Sequence, residues 1–274
     1  MRCLSQSSIG NRSFACVLVT LLAAAAQLAA QQKPAPPQPP RTAIFISDLH
    51  LGVGRDPADK SANPRWHPLE DFRWHAELKD FLARVDEMGD HRVDLVILGD
   101  FLELWQSLSK TDCHHETLSK DLGCTEAEAI ARTARIIDQH GPAFDHLRWF
   151  AKQGQNRITV VPGNHDAALM FAGVRKLVLD RIQAQPDRVR VAIEGYWWSE
   201  DGKVIGEHGH QIGADVNRFD GWPDHPFIEK AGTTYLQQPW GEQMVQEVFN
   251  EYEVTIRSST TCRRSCGASV SPGS

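Results

Sequence analysis

Long apolar runs, clusters of basic residues and internal repeats are missing from most of this sequence. After the N-terminal segment no stretch approaches about 18 consecutive apolar residues, so the remainder is not expected to span a membrane. No run of five basic residues occurs and the net charge is −6, which argues against charge-driven nucleic-acid binding. With 41% hydrophobic and 23% charged residues, the 274-residue chain is neither collagen-like, coiled-coil nor wholly disordered.

The first thirty residues have the features of an export signal. Arg2 and Arg12 accompany an apolar stretch over residues 14–26, and small alanines follow as in a cleavage site. The stretch is shorter than the roughly 20 residues of a membrane span, and an uncleaved N-terminal anchor is the alternative. We predict a signal peptide over residues 1–30 and a periplasmic or secreted location.

Two segments outside the folded part are distinguished by composition. Residues 31–42 are rich in Pro and Gln, which predicts an extended linker without a core. From residue 257 onward the apolar periodicity stops, which predicts a low-complexity tail over residues 257–274. The folded domain is therefore expected over residues 43–256.

Cysteine is scarce after the export signal. Cys113 and Cys124 flank a polar segment, and an oxidising compartment favours a disulfide between them. Closing this short loop would stabilise the fold by about 3 kcal/mol. A zinc site formed with His114 and His115 is the alternative, although no paired Cys-x-x-Cys supports it.

Apolar patterning predicts strands that alternate with helices. We expect strands over residues 43–46, 93–98, 158–161, 189–193, 196–199 and 203–206, the last two forming a hairpin. We expect helical segments over residues 69–88, 125–150, 167–185 and 239–252, with a capping box at Thr125 and Glu128. The pattern predicts an α/β fold in which a mixed-sheet sandwich is flanked by helices.

Oxygen and imidazole donors follow several of these strands. Ligands bind at the carboxyl ends of strands in α/β folds, so these side chains are expected to lie together. The donors are Asp48, His50, Asp100, Asn164 and His208. A set of carboxylate, amide and imidazole donors suits Mn²⁺, Fe²⁺ or Zn²⁺, and two such ions can share one carboxylate. Asp100, central in the order, is the natural shared ligand.

The motifs Asp-Leu-His-Leu-Gly, Gly-Asp-Phe-Leu-Glu, Gly-Asn-His-Asp and His-Gly-His begin at residues 48, 99, 163 and 208. In this order they resemble the calcineurin-like metallophosphoesterase family, nearest to its UDP-2,3-diacylglucosamine pyrophosphohydrolase-like branch. The resemblance implies a hydrolase of a phosphomonoester, phosphodiester or pyrophosphate, using attack by a metal-bridging hydroxide. It also implies two divalent metal ions (Mn, Fe or Zn) and a small phosphorylated substrate, nucleotide- or lipid-linked.

The resemblance implies a role for each matched residue. Asp48 and His50 correspond to ligands of one metal, Asn164 and His208 to ligands of the other, and Asp100 to the bridge. In a catalytic role, His165 corresponds to the histidine that stabilises or protonates the leaving oxygen. Asp166, also matched to a catalytic position, corresponds to the acid that orients a neighbouring group.

Other polar and aromatic residues are expected around this site. Support or substrate contact is predicted for His210, Arg55, Asn217 and Arg218. Glu103 is expected in solvent or behind the ligands, and several other histidines are expected at the surface, namely His67, His75, His91, His140 and His146. The tryptophans are expected either to pack in the core or to form an apolar wall of the cleft.

The family pattern usually ends in a Gly-His-x-His element, which is not found after His210. One interpretation makes the His208-Gly209-His210 segment that terminal element; the preferred one makes His208 the ligand of the preceding motif. The fold is then expected to be incomplete at its C-terminus. A catalytically impaired, truncated relative that acts as a binding protein is the alternative function.

Overall fold

The computed structural model describes residues 40–108, 113, 121–183, 185–213 and 215–256. The predicted signal peptide, the low-complexity tail and nearly all of the linker lie outside the described residues. His114 and His115 lie outside them as well.

The described chain alternates between short strands and helices. The strands are β1 (Thr42–Ile46), β2 (Val93–Leu98), β3 (Leu122–Thr125), β4 (Arg157–Val161), β5 (Val189–Val191), β6 (Trp197–Trp198), β7 (Ile205–Gly206), β8 (Phe227–Lys230) and β9 (Thr233–Gln237). The α-helices are α1 (His75–Met88), α2 (Glu126–Gln139), α3 (Gly141–Lys152), α4 (Ala172–Ile182) and α5 (Trp240–Met244). Short 3₁₀ turns cover Ala167–Met170 and Asp215–Asn217, and a π-helical turn, Val245–Phe249, extends α5.

A four-stranded parallel sheet lies at the centre, in the order β1-β2-β4-β5. Strand β2 has the sequence Val-Asp-Leu-Val-Ile-Leu, which suits a central strand that is covered on both faces. Its register pairs Ile97 with Ile46 of β1 and Leu98 with Val161 of β4. The carboxyl ends of these three strands therefore meet at one edge of the sheet.

Helices cover one face of this sheet. Leu82 of α1, Phe144 and Leu147 of α3 and Val178 of α4 join Leu95 of β2 in one buried apolar cluster. Helix α2 begins at the predicted capping box, in which the Thr125 amide donates to the Glu128 carboxylate at 2.8 Å. The fold is thus mixed α/β with a parallel sheet flanked by helices, as predicted.

The predicted hairpin is confirmed as the antiparallel pair β6–β7, and it packs on the second face of the sheet. Trp197 joins Val96, Val161 and Ala192 in a small apolar cluster there. The hairpin forms a two-stranded sheet of its own. Apolar material therefore lies on both sides of β2.

Three features differ from the expected elements. The antiparallel sheet β3-β9-β8 was not predicted, because its strands are short and rich in polar residues or glycine. Helix α1 begins at His75 instead of residue 69, and a 3₁₀ turn precedes α4 within the predicted 167–185 helix. None of the helices in the described ranges is long and apolar enough to cross a membrane.

Candidate metal centre

The strand ends bring the predicted ligands to one cleft of about 530 Å³. Its lining includes Asp48, His50, Asp100, Asn164 and His208, together with His165, His210 and Asn217. Asp48, His50 and Asp100 have φ angles of 55°, 48° and 51°. This left-handed conformation is uncommon outside glycine and often occurs at functional sites. Backbone bonds hold it: the His50 amide donates to the Asp100 carbonyl at 2.9 Å.

One group of donors contains Asp48, His50 and Asp100. Their candidate ligand atoms all lie within 4.8 Å of one another. The His50 Nε2 atom is 3.9 Å from Asp48 Oδ1 and 3.7 Å from Asp100 Oδ2. The His50 Nδ1 atom donates to Glu103, which leaves Nε2 as the atom that can bind a cation. The arrangement fits a divalent ion.

A second group shares Asp100 with the first. The His208 Nε2 atom lies 3.2 Å from Asp100 Oδ2 and 3.0 Å from Asn164 Oδ1. The His208 Nδ1 atom donates to the Leu98 carbonyl at 2.8 Å, so Nε2 faces the two oxygens. Burial opposes the charge on this ring, but Asp100 outweighs it and raises the pKa of His208 to about 9. Two oxygens converging on an imidazole nitrogen also fit a cation.

Glu103 supports two histidines from behind the cleft. Its Oε2 atom accepts from His50 Nδ1 at 2.8 Å and from His165 Nδ1 at 2.6 Å. Its Oε1 atom accepts from the amides of Trp105 and Gln106. Although burial raises the pKa of this carboxyl, the histidines lower it to about 2. Glu103, His50 and His165 also lie close enough to form a ligand group, but these hydrogen bonds occupy both carboxylate oxygens.

His165 lies at the cleft with its ring fixed on two sides. The Trp105 ring stacks on it with centroids 3.9 Å apart, and the His50 ring meets it edge-on at 4.6 Å. Burial opposes the charge on the ring, but the nearby Glu103 carboxylate raises its pKa. Its main-chain amide donates to Asp100 Oδ1 at 2.9 Å. His165 is thus coupled directly to the shared carboxylate.

Asp166 is fully buried and does not line the cleft. Its Oδ1 accepts from the Gly163 amide at 2.6 Å and its Oδ2 from the Phe101 amide at 2.8 Å. Burial and the neighbouring Asp100 raise the pKa of Asp166 to about 6. Asp166 therefore joins the loops that follow β2 and β4. The structure gives it this positioning role and no direct contact with the cleft.

Two of the predicted substrate contacts reach the cleft and two do not. His210 and Asn217 line it, and burial followed by the nearby His208 lowers the pKa of His210 to about 4. The Arg55 guanidinium instead stacks over Trp66 at 3.7 Å and donates to the Pro64 carbonyl. Arg218 donates to Asp215 at 2.6 Å and to the Gln211 carbonyl. Both cations are therefore directed to protein partners outside the cleft.

The two cysteines form the predicted Cys113–Cys124 disulfide. Both sulfur atoms are bonded to each other and cannot serve as thiolate ligands. The alternative zinc site with His114 and His115 is therefore not formed by this cysteine pair.

The expectation of a surface position was wrong for His140. It is fully buried, with Nε2 3.2 Å from Glu70 Oε2 and Nδ1 3.0 Å from His75 Nε2. Glu70 also accepts from the amides of Gly52 and Gly54, just after the His50 loop. The sequence did not predict these hydrogen bonds of Glu70, because Glu70 and His140 lie far apart in the chain.

Some of the tryptophans pack in the core, as expected, but none of those in the described ranges lines the cleft. Trp105 and Trp197 are buried, and Trp105 also stacks on a residue that lines the cleft. Trp222 packs edge-on against His210, with ring centroids 4.7 Å apart. Trp198 and Trp240 are about half exposed. Aromatic rings thus support the cleft histidines from behind more than they line the cleft.

The fold and the donor set define an α/β protein with a candidate metal centre at the strand ends. The sequence profile of the calcineurin-like phosphoesterases matches residues 42–256, so the chain belongs to the calcineurin-like phosphoesterase family. This family is one of metal-dependent phosphoester hydrolases, which usually bind a dinuclear metal site. Neither the curated proteins nor the solved structures gave a match.

Proposed function

We propose that this chain hydrolyses a phosphomonoester, phosphodiester or pyrophosphate with two divalent cations. Asp48 and His50 would hold one cation, Asn164 and His208 the other, and Asp100 both. The position of Asp100 carries the proposal: its Oδ2 atom lies 3.7 Å from His50 Nε2 and 3.2 Å from His208 Nε2. One carboxylate therefore belongs to both groups of donors.

When bound, the two cations supply Lewis-acid polarisation of the phosphoryl group and acidify water. The chain's own residues prepare the remaining chemistry. Glu103 holds His165 through Nδ1, which leaves Nε2 to carry a proton to the leaving oxygen. The stacked Trp105 keeps the ring in place. Asp166 positions the loops on which Asp100 and Asn164 lie, through their backbone amides.

The cellular setting belongs to the same proposal. The apolar N-terminus supports export by a signal peptide over residues 1–30, followed by the linker over 31–42. The disulfide agrees with an oxidising, periplasmic or secreted location. A place near the UDP-2,3-diacylglucosamine pyrophosphohydrolase-like branch rests on the motifs at Asp48 and Asp100 alone.

One observation favours the second candidate, a catalytically impaired relative that acts as a binding protein. The sequence contains no Gly-His-x-His element after His210. In the described part of the chain, each cation then has three protein donors from the predicted set. This candidate predicts cation binding without turnover.

The test compares Asp100→Asn with the wild-type full chain. We expect calorimetry to show two Mn²⁺ ions per wild-type chain and Mn²⁺-dependent cleavage of bis-p-nitrophenyl phosphate. Asp100→Asn should weaken both binding events and lower kcat at least about 100-fold, since it removes the shared charge. Asp187→Asn is the control, because this side chain is 76% exposed at the surface.

The other possible outcomes contradict the proposal or favour the impaired relative. Wild-type chain that binds no Mn²⁺ would overturn the proposal. Binding of two ions without cleavage of any phosphoester would favour the impaired relative. Equal losses in Asp100→Asn and Asp187→Asn would show that Asp100 is not the shared ligand.

A further inference from the structure

The cleft has an apolar side that the metal centre does not use. Ile212 and Val216 line it and are 70% and 41% exposed. Because both side chains lie at the rim of a polar site, an apolar group of a bound ligand would bury them. They flank the cleft on the chain segment that follows His210.

Protein packing supports the turn that carries Val216 and the neighbouring His210 ring. The 3₁₀ turn Asp215–Asn217 lies against the start of α5, where a Cβ on Gly241 would be 2.1 Å from Asn217 Oδ1 and 3.0 Å from the Val216 carbonyl. The adjoining His210 ring packs edge-on against Trp222 and Phe219, with centroids 4.7 and 5.9 Å away. Ile212 and Val216 form the wall of this side, in which the backbone at Val216 lies against α5 and Ile212 is the more exposed side chain.

Charge in the cleft is concentrated at the metal centre. Among the described lining residues there is no Lys or Arg, and the neighbouring Arg218 is directed to Asp215 and Gln211. Two divalent cations would carry more positive charge than the carboxylates of Asp48 and Asp100 neutralise. The remaining positive charge suits one phosphate group. Beyond the centre, a second phosphate would meet the side chains of His210, Ile212, Val216 and Asn217, and no Lys or Arg among the described lining residues.

We infer that Ile212 and Val216 are specificity residues that select a substrate with a single phosphate and an apolar alkyl or aryl group. The inference rests on the proposed function, because the phosphate is placed by the two cations. The apolar group would cover the exposed parts of both side chains. Pyrophosphate substrates would then be disfavoured relative to simple monoesters and diesters.

Binding of n-alkylphosphonates tests this inference without turnover. Calorimetry with the Mn²⁺-loaded full chain would compare methyl-, ethyl-, propyl- and butylphosphonate. Full burial of a methylene would tighten binding about fourfold, and burial on one side should give about twofold per methylene. A flat series with Mn²⁺ bound would overturn this inference and leave the proposed function intact, whereas failure to bind Mn²⁺ would overturn both.

Substitutions test whether Ile212 and Val216 cause the dependence of binding on alkyl chain length. Ile212→Ser with Val216→Ser should flatten the chain-length series. Ile205→Ser is the matched control, since Ile205 is 51% exposed on β7 and does not line the cleft. A slope unchanged in the double variant, or lost equally in Ile205→Ser, would overturn the assignment.

A charged tail provides the second comparison. In 4-phosphonobutyrate a carboxylate replaces the terminal methyl of butylphosphonate, and we expect it to bind at least about fivefold more weakly to the wild-type chain. Tighter binding of 4-phosphonobutyrate would overturn the inference. Loss of that tighter binding in Arg218→Ala would identify Arg218 as a cation that reaches the tail.

Discussion

The Oε2 atom of Glu103 lies 2.6 Å from the Nδ1 atom of His165. The same oxygen receives His50 Nδ1, so one buried carboxylate orients a proposed metal ligand and the proposed proton donor together. Carboxylates behind metal-binding histidines commonly fix ring orientation and tautomer. The backbone bonds to Trp105 and Gln106 hold this carboxylate still.

Glu103→Gln should weaken Mn²⁺ binding by about 10-fold to 100-fold and lower the pH at which His165 loses its proton. The amide oxygen can still accept from the backbone, but the negative charge that raises the His165 pKa is gone. Calorimetry and the pH profile of kcat measure the two effects. An unchanged profile would contradict the role assigned to Glu103.

Gly99→Ala should disturb the second group of donors selectively. A Cβ at Gly99 would lie 2.3 Å from the His208 ring, and its φ of +81° adds backbone strain. We expect the binding of one Mn²⁺ ion to weaken at least about tenfold, because the ring must move. Calorimetric stoichiometry measures this.

Gly202→Ala is the matched control for backbone strain. Gly202 also has a positive φ, +68°, but a Cβ there meets nothing within 4 Å. Backbone strain should cost both variants about 1 kcal/mol of stability, and Gly99→Ala should lose more because of the contact with His208. Only Gly99→Ala should alter Mn²⁺ binding. Equal effects on binding in the two variants would count against contact with His208.

Glu242→Gln should reduce the pH dependence of stability. Burial raises the pKa of Glu242 to about 7, despite the opposing charge of Arg132. Because the pKa of Glu242 is higher in the folded state, its contribution to the free energy of unfolding is fully present below about pH 4.5. That contribution is lost as the pH rises through about 7. The variant, which does not titrate, should gain up to about 3 kcal/mol relative to wild type between pH 5 and pH 8.

Urea unfolding at the two pH values measures this difference. Glu247→Gln lies in the same helical segment at an exposed position and should follow the wild-type dependence. A parallel response of the Glu242→Gln variant and wild type would show that the Glu242 carboxyl does not carry the effect.

Removing the disulfide should lower the free energy of unfolding by about 3 kcal/mol, since it closes a short loop in the unfolded chain. Cys113→Ala combined with Cys124→Ala tests this by urea unfolding. Wild-type protein under reducing conditions is the companion measurement, and both should show the same decrease. Unchanged stability in the double variant would refute the estimate.

Much of the fold could be predicted because its signals are local. The apolar run of β2 and the capping box at Thr125 and Glu128 each lie within a few residues, and the structure contains both. The β3-β9-β8 sheet was missed because β3 pairs with β9 across more than 100 residues. Pairing at that distance leaves no periodic signal in either short strand.

For the candidate site, the sequence alone determined which donor types follow the strands and in what order. The rule that parallel strands end at a common edge was enough for Asp48, His50, Asp100 and Asn164, whereas His208 follows β7 of the antiparallel hairpin. Tertiary structure alone decided what lies around them: Glu103 beneath two histidines, Arg55 turned onto Trp66, and Ile212 and Val216 exposed at the rim. These relationships depend on contacts between distant segments, and side-chain direction there is set by packing and hydrogen bonding rather than by local residue pattern.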